Sequence, residues 1–133
     1  MEEHVYPVQS EDDLLTIRHA VRAVSRQVDF PIVDQTRVVT AASELARNAL
    51  IHGGGGSLHI QLLHEGGRIG VRLIVSDDGP GIDNLEGALT DGFSTGNGLG
   101  HGLGGARRLM HAFDVHTRKG GGTTVMAARW STR

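Results

Sequence analysis

The sequence contains no cysteine, which excludes disulfide bonds and thiolate metal sites. Aromatic residues are scarce, at 4% of the chain, so the hydrophobic core must come from Leu, Ile, Val and Ala. No charge of one sign dominates, because 13 Lys and Arg are interspersed with 15 Asp and Glu. This balance leaves no basic surface for nucleic acid or for an anionic membrane, and neither is expected as a partner.

Long apolar runs are also missing, and none approaches the roughly 20 residues that span a bilayer. The first residues, Met-Glu-Glu-His, are acidic and no apolar stretch follows them, so no signal peptide is predicted. The lack of cysteine fits a reducing compartment. We therefore expect a cytoplasmic protein with a single domain, 1–133, built around one core.

Glycine, in contrast, is abundant, and its 20 residues are clustered rather than dispersed. Glycine clusters between periodic segments predict loops that bend sharply or that let a ligand approach the backbone closely. The clusters lie at 53–56, 79–81, 92–105 and 120–122.

Hydrophobic periodicity predicts two helices in the first third of the chain. A short strand over 5–8 is followed by a capping box, 10–13, and by a helix that ends near Asp29. Asp34 is expected to cap a second helix, which ends at Gly53 because glycine is a natural helix stop.

The rest of the chain predicts a sheet with further helices. Alternating apolar residues in 58–62 and 69–75, joined by 65–68, indicate an antiparallel hairpin. The later elements are a short helix over 85–89, a helix with Leu103, Ala106, Met110 and Phe113 on one face, and strands over 115–117 and 123–130. The predicted class is α+β, with two layers and helices covering one face of a mostly antiparallel mixed sheet.

The second predicted helix carries Glu44, Asn48 and His52 at four-residue spacing, which places them in one stripe. The stripe lies about 100° around the helix from the apolar row formed by Leu45 and Ala49. A carboxylate there could accept a proton, and the amide oxygen one turn later could bind Mg²⁺. On this segment alone, an ordinary amphipathic helix is the better interpretation.

Asp77 follows a predicted buried strand and begins the sequence Asp-Asp-Gly-Pro-Gly. An acidic residue at a strand end can accept a hydrogen bond from an adenine amino group. Gly79 and Gly81 would let the backbone pass the base without interference from a side chain. A plain turn is the competing interpretation, because Asp, Gly and Pro are typical turn residues.

The glycine-rich segment 96–105 opens the last predicted helix, and backbone N–H groups at such a start favour an anion. A dinucleotide-binding pattern over 100–105 is accidental, since no buried strand precedes it and Val125 occupies the position expected to be acidic. No P-loop motif occurs. None of the eight histidines has metal-ligand spacing.

The order and spacing of these motifs resemble the GHKL ATPase/kinase superfamily, which includes histidine-kinase catalytic domains, gyrase and heat-shock chaperone ATPases. The resemblance covers nearly the whole chain. Within the superfamily, residues 43–48, 91–95 and 105–110 look most like the RsbT-type switch kinases, serine/threonine kinases of bacterial stress-signalling modules.

The resemblance implies a Bergerat-type fold that binds ATP and Mg²⁺. It implies that Glu44 is the catalytic carboxylate, Asn48 the Mg²⁺ ligand and Asp77 the adenine-reading residue, with 91–101 as the ATP lid. His101 departs from the apolar residue expected there. The residues implied to contact the bound nucleotide are Asn48, Asp77, Gly79, Gly81, Gly98, Gly100, Gly102, Leu103 and Thr123.

The implied substrate is a Ser or Thr of a small STAS-domain protein, and a sigma factor, a phosphatase or a second copy of the chain are further partners. A nucleotide-dependent binding module that acts by sequestration is the alternative, and the sequence does not separate the two. A sensor histidine-kinase fragment is disfavoured because no phosphoacceptor helix pair precedes the domain and His19 is expected at the surface. An ATP-driven clamp would need a second domain.

Overall fold

The computed structural model describes residues 3–83, 85–89 and 103–131, which form a five-stranded sheet with helices on one face. The strands are β1 (Glu3–Val8), β2 (Gly56–Glu65), β3 (Arg68–Asp77), β4 (Ala112–Arg118) and β5 (Gly122–Trp130). The helices are α1 (Glu11–Gln27), α2 (Ile32–Gly53), α3 (Leu85–Leu89) and α4 (Leu103–Leu109). The strand order is β1-β2-β3-β5-β4, and each of its four pairs is antiparallel. The predicted α+β class is confirmed.

The N-terminus of α1 is fixed by the predicted capping box. Ser10 Oγ accepts the Asp13 N–H at 3.3 Å, and Asp13 Oδ2 accepts the Gln9 N–H at 2.8 Å. This exchange satisfies backbone donors that a helix start leaves unpaired. The buried apolar residues of α1 have the predicted helical spacing and are Leu14, Ile17, Val21 and Val24.

The predicted cap of α2 is wrong. The helix begins at Ile32 after Pro31, without a side-chain capping bond, and Asp34 lies inside its first turn. Asp34 is 4% exposed, and its Oδ1 accepts hydrogen bonds from Arg129 Nη2 at 2.8 Å and from Nε at 3.2 Å. The buried guanidinium of Arg129 therefore binds the Asp34 carboxylate, which the sequence pattern had predicted to cap backbone N–H groups of α2. The predicted stop at Gly53 is confirmed.

The predicted last helix is too long. Helix α4 ends at Leu109, and Phe113 lies in β4 rather than on the helix. Its apolar spacing continues into β4, but there the backbone pairs with β5 from Ala112, opposite Ala128. Sheet pairing thus prevails over a periodicity that fits a helix. Leu103, Ala106 and Met110 are buried as predicted.

The core lies between the helices and one face of the sheet. Alternate residues of the strands, such as Leu58, Ile60 and Leu73, are fully buried and belong to the same cluster as the apolar faces of α1 and α2. The alternation of a strand places His59 and Arg72 on the opposite face. None of the helices in the described ranges is long and apolar enough to cross a membrane.

Candidate active site

The polar stripe of α2 runs from solvent into the protein interior. Glu44 is exposed, Asn48 is 7% exposed and His52 is half-buried. Leu45 and Ala49, the neighbouring apolar row, are each 1% exposed. Four residues advance about 6 Å along a helix. A solvent-facing carboxylate therefore lies one turn from a buried amide.

Asp77 ends β3 at the point where three strands meet. Its register partners are Gly56 in β2 and Thr123 in β5. Its Oδ1 accepts the Gly79 N–H at 2.9 Å, which holds the turn that follows the strand. A carboxylate has a second oxygen that can accept further hydrogen bonds. Asp77 can therefore shape the loop and also accept a hydrogen bond from a ligand.

Glycine is required where α2 meets this loop. A Cβ on Gly79 would lie 2.6 Å from the Gly53 Cα, and a Cβ on Gly53 would overlap the Asp77 carboxyl group. Gly81 has a φ of +84°, and a Cβ there would overlap the Arg118 carbonyl. At both positions the close neighbour is backbone of this chain, and the predicted approach of Gly79 and Gly81 to a base stays a prediction. Gly53 was predicted only as a helix stop, and its contact with Asp77 could not be found without the fold.

Two threonines connect the loop to the β4–β5 hairpin. Thr117 Oγ1 accepts the Ile82 N–H at 2.9 Å and shares a 2.9 Å hydrogen bond with Thr123 Oγ1. The Gly120 N–H donates to the Pro80 carbonyl at 2.8 Å. Thr123 was predicted from the sequence, and Thr117 was not. Thr117 could have been found from the register of the β4–β5 hairpin, which pairs it with Thr123 across the glycine turn.

These groups converge on one small cleft of about 10 Å³. That volume holds about one water molecule, so a larger ligand would contact these residues from the rim of the cleft. A larger cavity of about 380 Å³ lies against β4 and the β4–β5 turn. The small cleft is lined by Asn48, His52, Gly53, Asp77, Gly81, Ile82 and Thr123.

Glu44 does not line the small cleft. It lines a groove of about 240 Å³ between α1 and α2, together with Arg18 and Arg47. Arg47 Nη1 lies 3.6 Å from Glu11 Oε1, in an exposed ion pair across the two helices. The structure thus brings Asn48, Asp77 and Thr123 together and leaves Glu44 one helical turn away, accessible from outside.

The remaining predicted contacts fall mostly outside the described residues. Gly98, Gly100, Gly102 and the predicted lid over 91–101 belong to that group, and so does His101. Leu103 is described as the first residue of α4 and is fully buried. Its side chain packs in the core, so a contact with nucleotide would come from its backbone N–H.

Residues 8–128 match the model of the histidine kinase-like ATPase domain family. The chain is 40% identical over 123 residues to the serine/threonine-protein kinase RsbT of Bacillus subtilis, a match that covers 92% of each protein. It is 31% identical to the anti-sigma F factor of Anoxybacillus flavithermus, over 87% of this chain and 83% of that protein.

A solved structure shows the same fold. The RsbU and RsbW domains of a Mycobacterium tuberculosis protein superpose with a TM-score of 0.66 and 20% sequence identity. The alignment covers all of this chain and 34% of that longer chain. The predicted resemblance to GHKL proteins, and among them to RsbT-type kinases, is confirmed. The chain belongs to the histidine kinase-like ATPase family, on the serine/threonine kinase branch that RsbT represents.

Proposed function

We propose that this chain transfers the γ-phosphate of ATP to a Ser or Thr of a small STAS-domain protein in a bacterial partner-switching module. The observation that carries the proposal is the convergence of Asn48, Asp77 and Thr123 on one cleft, with Glu44 exposed one turn away on α2. We take 1–133 as one domain of this type and place it in the cytoplasm.

The cleft residues have distinct roles in this proposal. Asp77 accepts a hydrogen bond from the adenine amino group, and Thr123, hydrogen-bonded to Thr117, supports the same end of the site. Gly79 and Gly81 keep the backbone beside the base free of side chains. Overlap of a Cβ at Gly53 with Asp77 supports a site whose shape depends on close backbone approach. We assign binding of the phosphates to the backbone N–H groups of Gly98, Gly100, Gly102 and Leu103.

Asn48 fits a role as the protein ligand of Mg²⁺. Asn48 is 7% exposed and lines the cleft, and an amide oxygen is a suitable ligand for this cation. One protein oxygen suffices when phosphates and water complete the coordination. Mg²⁺ held there would offset the negative charge of the phosphates.

Glu44 acts on the acceptor rather than on the nucleotide. Its carboxylate orients the partner's hydroxyl and takes the hydroxyl proton. The hydroxyl oxygen bonds to the γ-phosphorus while the bond from that phosphorus to the β,γ-bridging oxygen breaks, which releases ADP. Exposure of Glu44 supports this role, because the acceptor arrives on a separate protein.

The α1–α2 groove supports a protein acceptor. Arg18 and Arg47 are exposed and line this groove with Glu44, while Leu14 and Val39 are buried beneath it, so its rim is charged, with two cations and one carboxylate. Such a surface suits a folded partner with an acidic rim around the acceptor hydroxyl. A sigma factor, a phosphatase or a second copy of this chain are further partners in the proposed module.

The test is phosphotransfer to a candidate partner. The chain is incubated with γ-labelled ATP, Mg²⁺ and a STAS-domain protein encoded beside it. We expect label on one Ser or Thr of the partner, and no label when that residue is replaced by Ala. Binding of ATP without any transfer would contradict a kinase function.

A nucleotide-dependent binding module is the second candidate, and similarity to the anti-sigma F factor favours it. In that case the chain sequesters a sigma factor and phosphorylation is secondary. Size-exclusion chromatography of the chain with a sigma factor, with and without ATP, separates the two. Co-elution only with nucleotide, together with no transfer, would favour sequestration.

A further inference from the structure

Arg129, near the end of β5, holds two helices at once. It is 6% exposed, and it donates to Asp34 Oδ1 from Nη2 at 2.8 Å and to the Leu109 carbonyl from Nη1 at 2.8 Å. Asp34 lies in the first turn of α2, and Leu109 is the last residue of α4. We propose that Arg129 is a positioning residue that fixes α4 against α2 and thereby sets the geometry of the nucleotide site. The inference rests on the proposed function.

Helix α4 depends on tertiary contacts for its position. It has seven residues, two of which are Gly104 and Gly105, and short glycine-containing helices are unstable alone. Leu103 and Ala106 pack into the core, but hydrophobic contacts are non-directional. The N–H donors of a guanidinium lie in one plane and point in fixed directions, so its hydrogen bonds can set the orientation of the helix. Arg129 therefore fixes a helix that apolar packing alone would hold loosely.

Asp34, Arg129 and Arg37 form a charged cluster, the Arg129 cluster, whose charges suit the helix ends that they contact. A carboxylate near the start of α2 and a cation at the end of α4 both complement the helix dipoles. The Leu109 carbonyl is one of the acceptors that a helix end leaves without an intrahelical partner. Arg37 Nη1 also reaches Asp34 Oδ1, at 3.3 Å, from a half-exposed side chain. The cluster thus has matched charge and directed hydrogen bonds.

Stability alone is a weak explanation for the pair. Asp34 and Arg129 are both nearly excluded from water, and desolvation of two charges can cancel the attraction between them. Apolar residues of similar summed volume often serve stability equally well at such positions. What apolar residues cannot supply is the fixed direction of the donors towards two separate helices.

The helices that Arg129 joins carry residues assigned to the nucleotide and the acceptor. Glu44 and Asn48 lie about 15 and 21 Å beyond Asp34 along α2, at 1.5 Å per residue. Helix α4 begins at Leu103, and β5 carries Thr123 as well as Arg129. A shift of α4 along α2 therefore changes the distance between Leu103 and Asn48. Displacements near 1 Å at such sites have large effects on activity.

Three variants test the proposal. Arg129→Met removes the hydrogen bonds to Asp34 and to the Leu109 carbonyl and leaves the Asp34 carboxylate buried. The double variant Asp34→Val with Arg129→Met removes both charges at similar summed side-chain volume. Ile60→Ala, in the buried core on β2, is a control that destabilises the protein away from the cluster. The thermal midpoint and the dissociation constant of a fluorescent ATP analogue with Mg²⁺ are measured, the latter at a temperature where each variant is folded.

We expect the double variant to melt above Arg129→Met while it binds the analogue about tenfold more weakly than the wild type. Ile60→Ala should melt lower and bind normally. Wild-type affinity for the analogue in the double variant would overturn the positioning role of Arg129 and leave the proposed function standing. An equal loss of affinity in Ile60→Ala would do the same. If Arg129→Met does not fold, the double variant provides the same comparison. No binding by the wild type would overturn both this inference and the proposed function.

Discussion

Asp77 combines two tasks that a single carboxylate can perform. One oxygen holds the Gly79 N–H at 2.9 Å, and the side chain also lines the cleft with Asn48 and Thr123. Its place at the end of a strand was visible in the sequence, as was the spacing of Glu44 and Asn48. The contacts of Gly53 and Thr117 were not, because they depend on how α2 and a hairpin meet the loop after β3.

Asp77→Asn should weaken ATP binding about ten- to hundredfold, the equivalent of losing a hydrogen bond to a charged group. The loop should remain intact, because an Asn oxygen can still accept the Gly79 N–H. Isothermal titration calorimetry with ATP and Mg²⁺ measures the change. Asp78→Asn is the matched control, since Asp78 is the exposed neighbour. Equal affinities for the two variants would argue against the adenine-reading role of Asp77.

At the scale of elements, sequence periodicity predicted most helices and strands and failed where a distant contact decided the outcome. The capping box of α1 and the hairpin of β2 and β3 depend on local residues, and both were predicted. The cap at Asp34 failed because Arg129, which lies 95 residues away in the sequence, binds that carboxylate. Phe113 was assigned to a helix because the pairing of β4 with β5 leaves no signal in the sequence around Phe113.

Two glycine-to-alanine substitutions in helices should have opposite effects on stability. Gly105→Ala in α4 meets no atom within 4 Å and should raise the free energy of unfolding by about 0.5–1 kcal/mol, since alanine favours helices. Gly53→Ala at the end of α2 should lower it by about 1–3 kcal/mol, because the new methyl group overlaps Asp77. Urea denaturation of both variants gives the comparison. A destabilising Gly105→Ala, or a neutral Gly53→Ala, would contradict the packing described.

At the scale of the whole molecule, both layers contribute groups to the site, and their relative placement depends on a few contacts between distant parts of the chain. The class of the fold and its layer arrangement followed from hydrophobic patterning, because alternating strands and amphipathic helices bury one face each. The relative placement of α4, α2 and β5 did not follow, since the Arg129 cluster has no sequence motif. His111, which joins α4 to β4, belongs to the same region of the molecule.

His111 should make the folded protein less stable in mild acid. Its Nδ1 accepts the Trp130 N–H at 2.9 Å, which requires an unprotonated nitrogen. Desolvation, followed by the charge of Arg129, lowers the pKa of His111 below its usual value near 6.5, and Asp34 opposes the shift. The unfolded chain therefore binds a proton at a higher pH than the folded chain does. Stability contributed by His111 is present above pH 6.5 and is lost as the pH falls below it.

The measurement is urea denaturation of the wild type and of His111→Asn at pH 7.5 and 5.5. Asn can still accept the Trp130 N–H and does not titrate, so this variant should lose less stability between the two pH values. His64→Asn, at an exposed position, is the control for removal of a histidine. An unchanged pH dependence in His111→Asn would rule out this contribution.

The most direct test of the central claim is single-turnover transfer from γ-labelled ATP to the STAS-domain partner by the wild type and by Glu44→Gln. The kinase account predicts that the variant transfers about 10²–10⁴-fold more slowly, as expected for loss of a general base. It also predicts ATP affinity within about twofold of the wild type, because Glu44 acts on the acceptor rather than on the nucleotide. Transfer by Glu44→Gln at the wild-type rate would contradict the account.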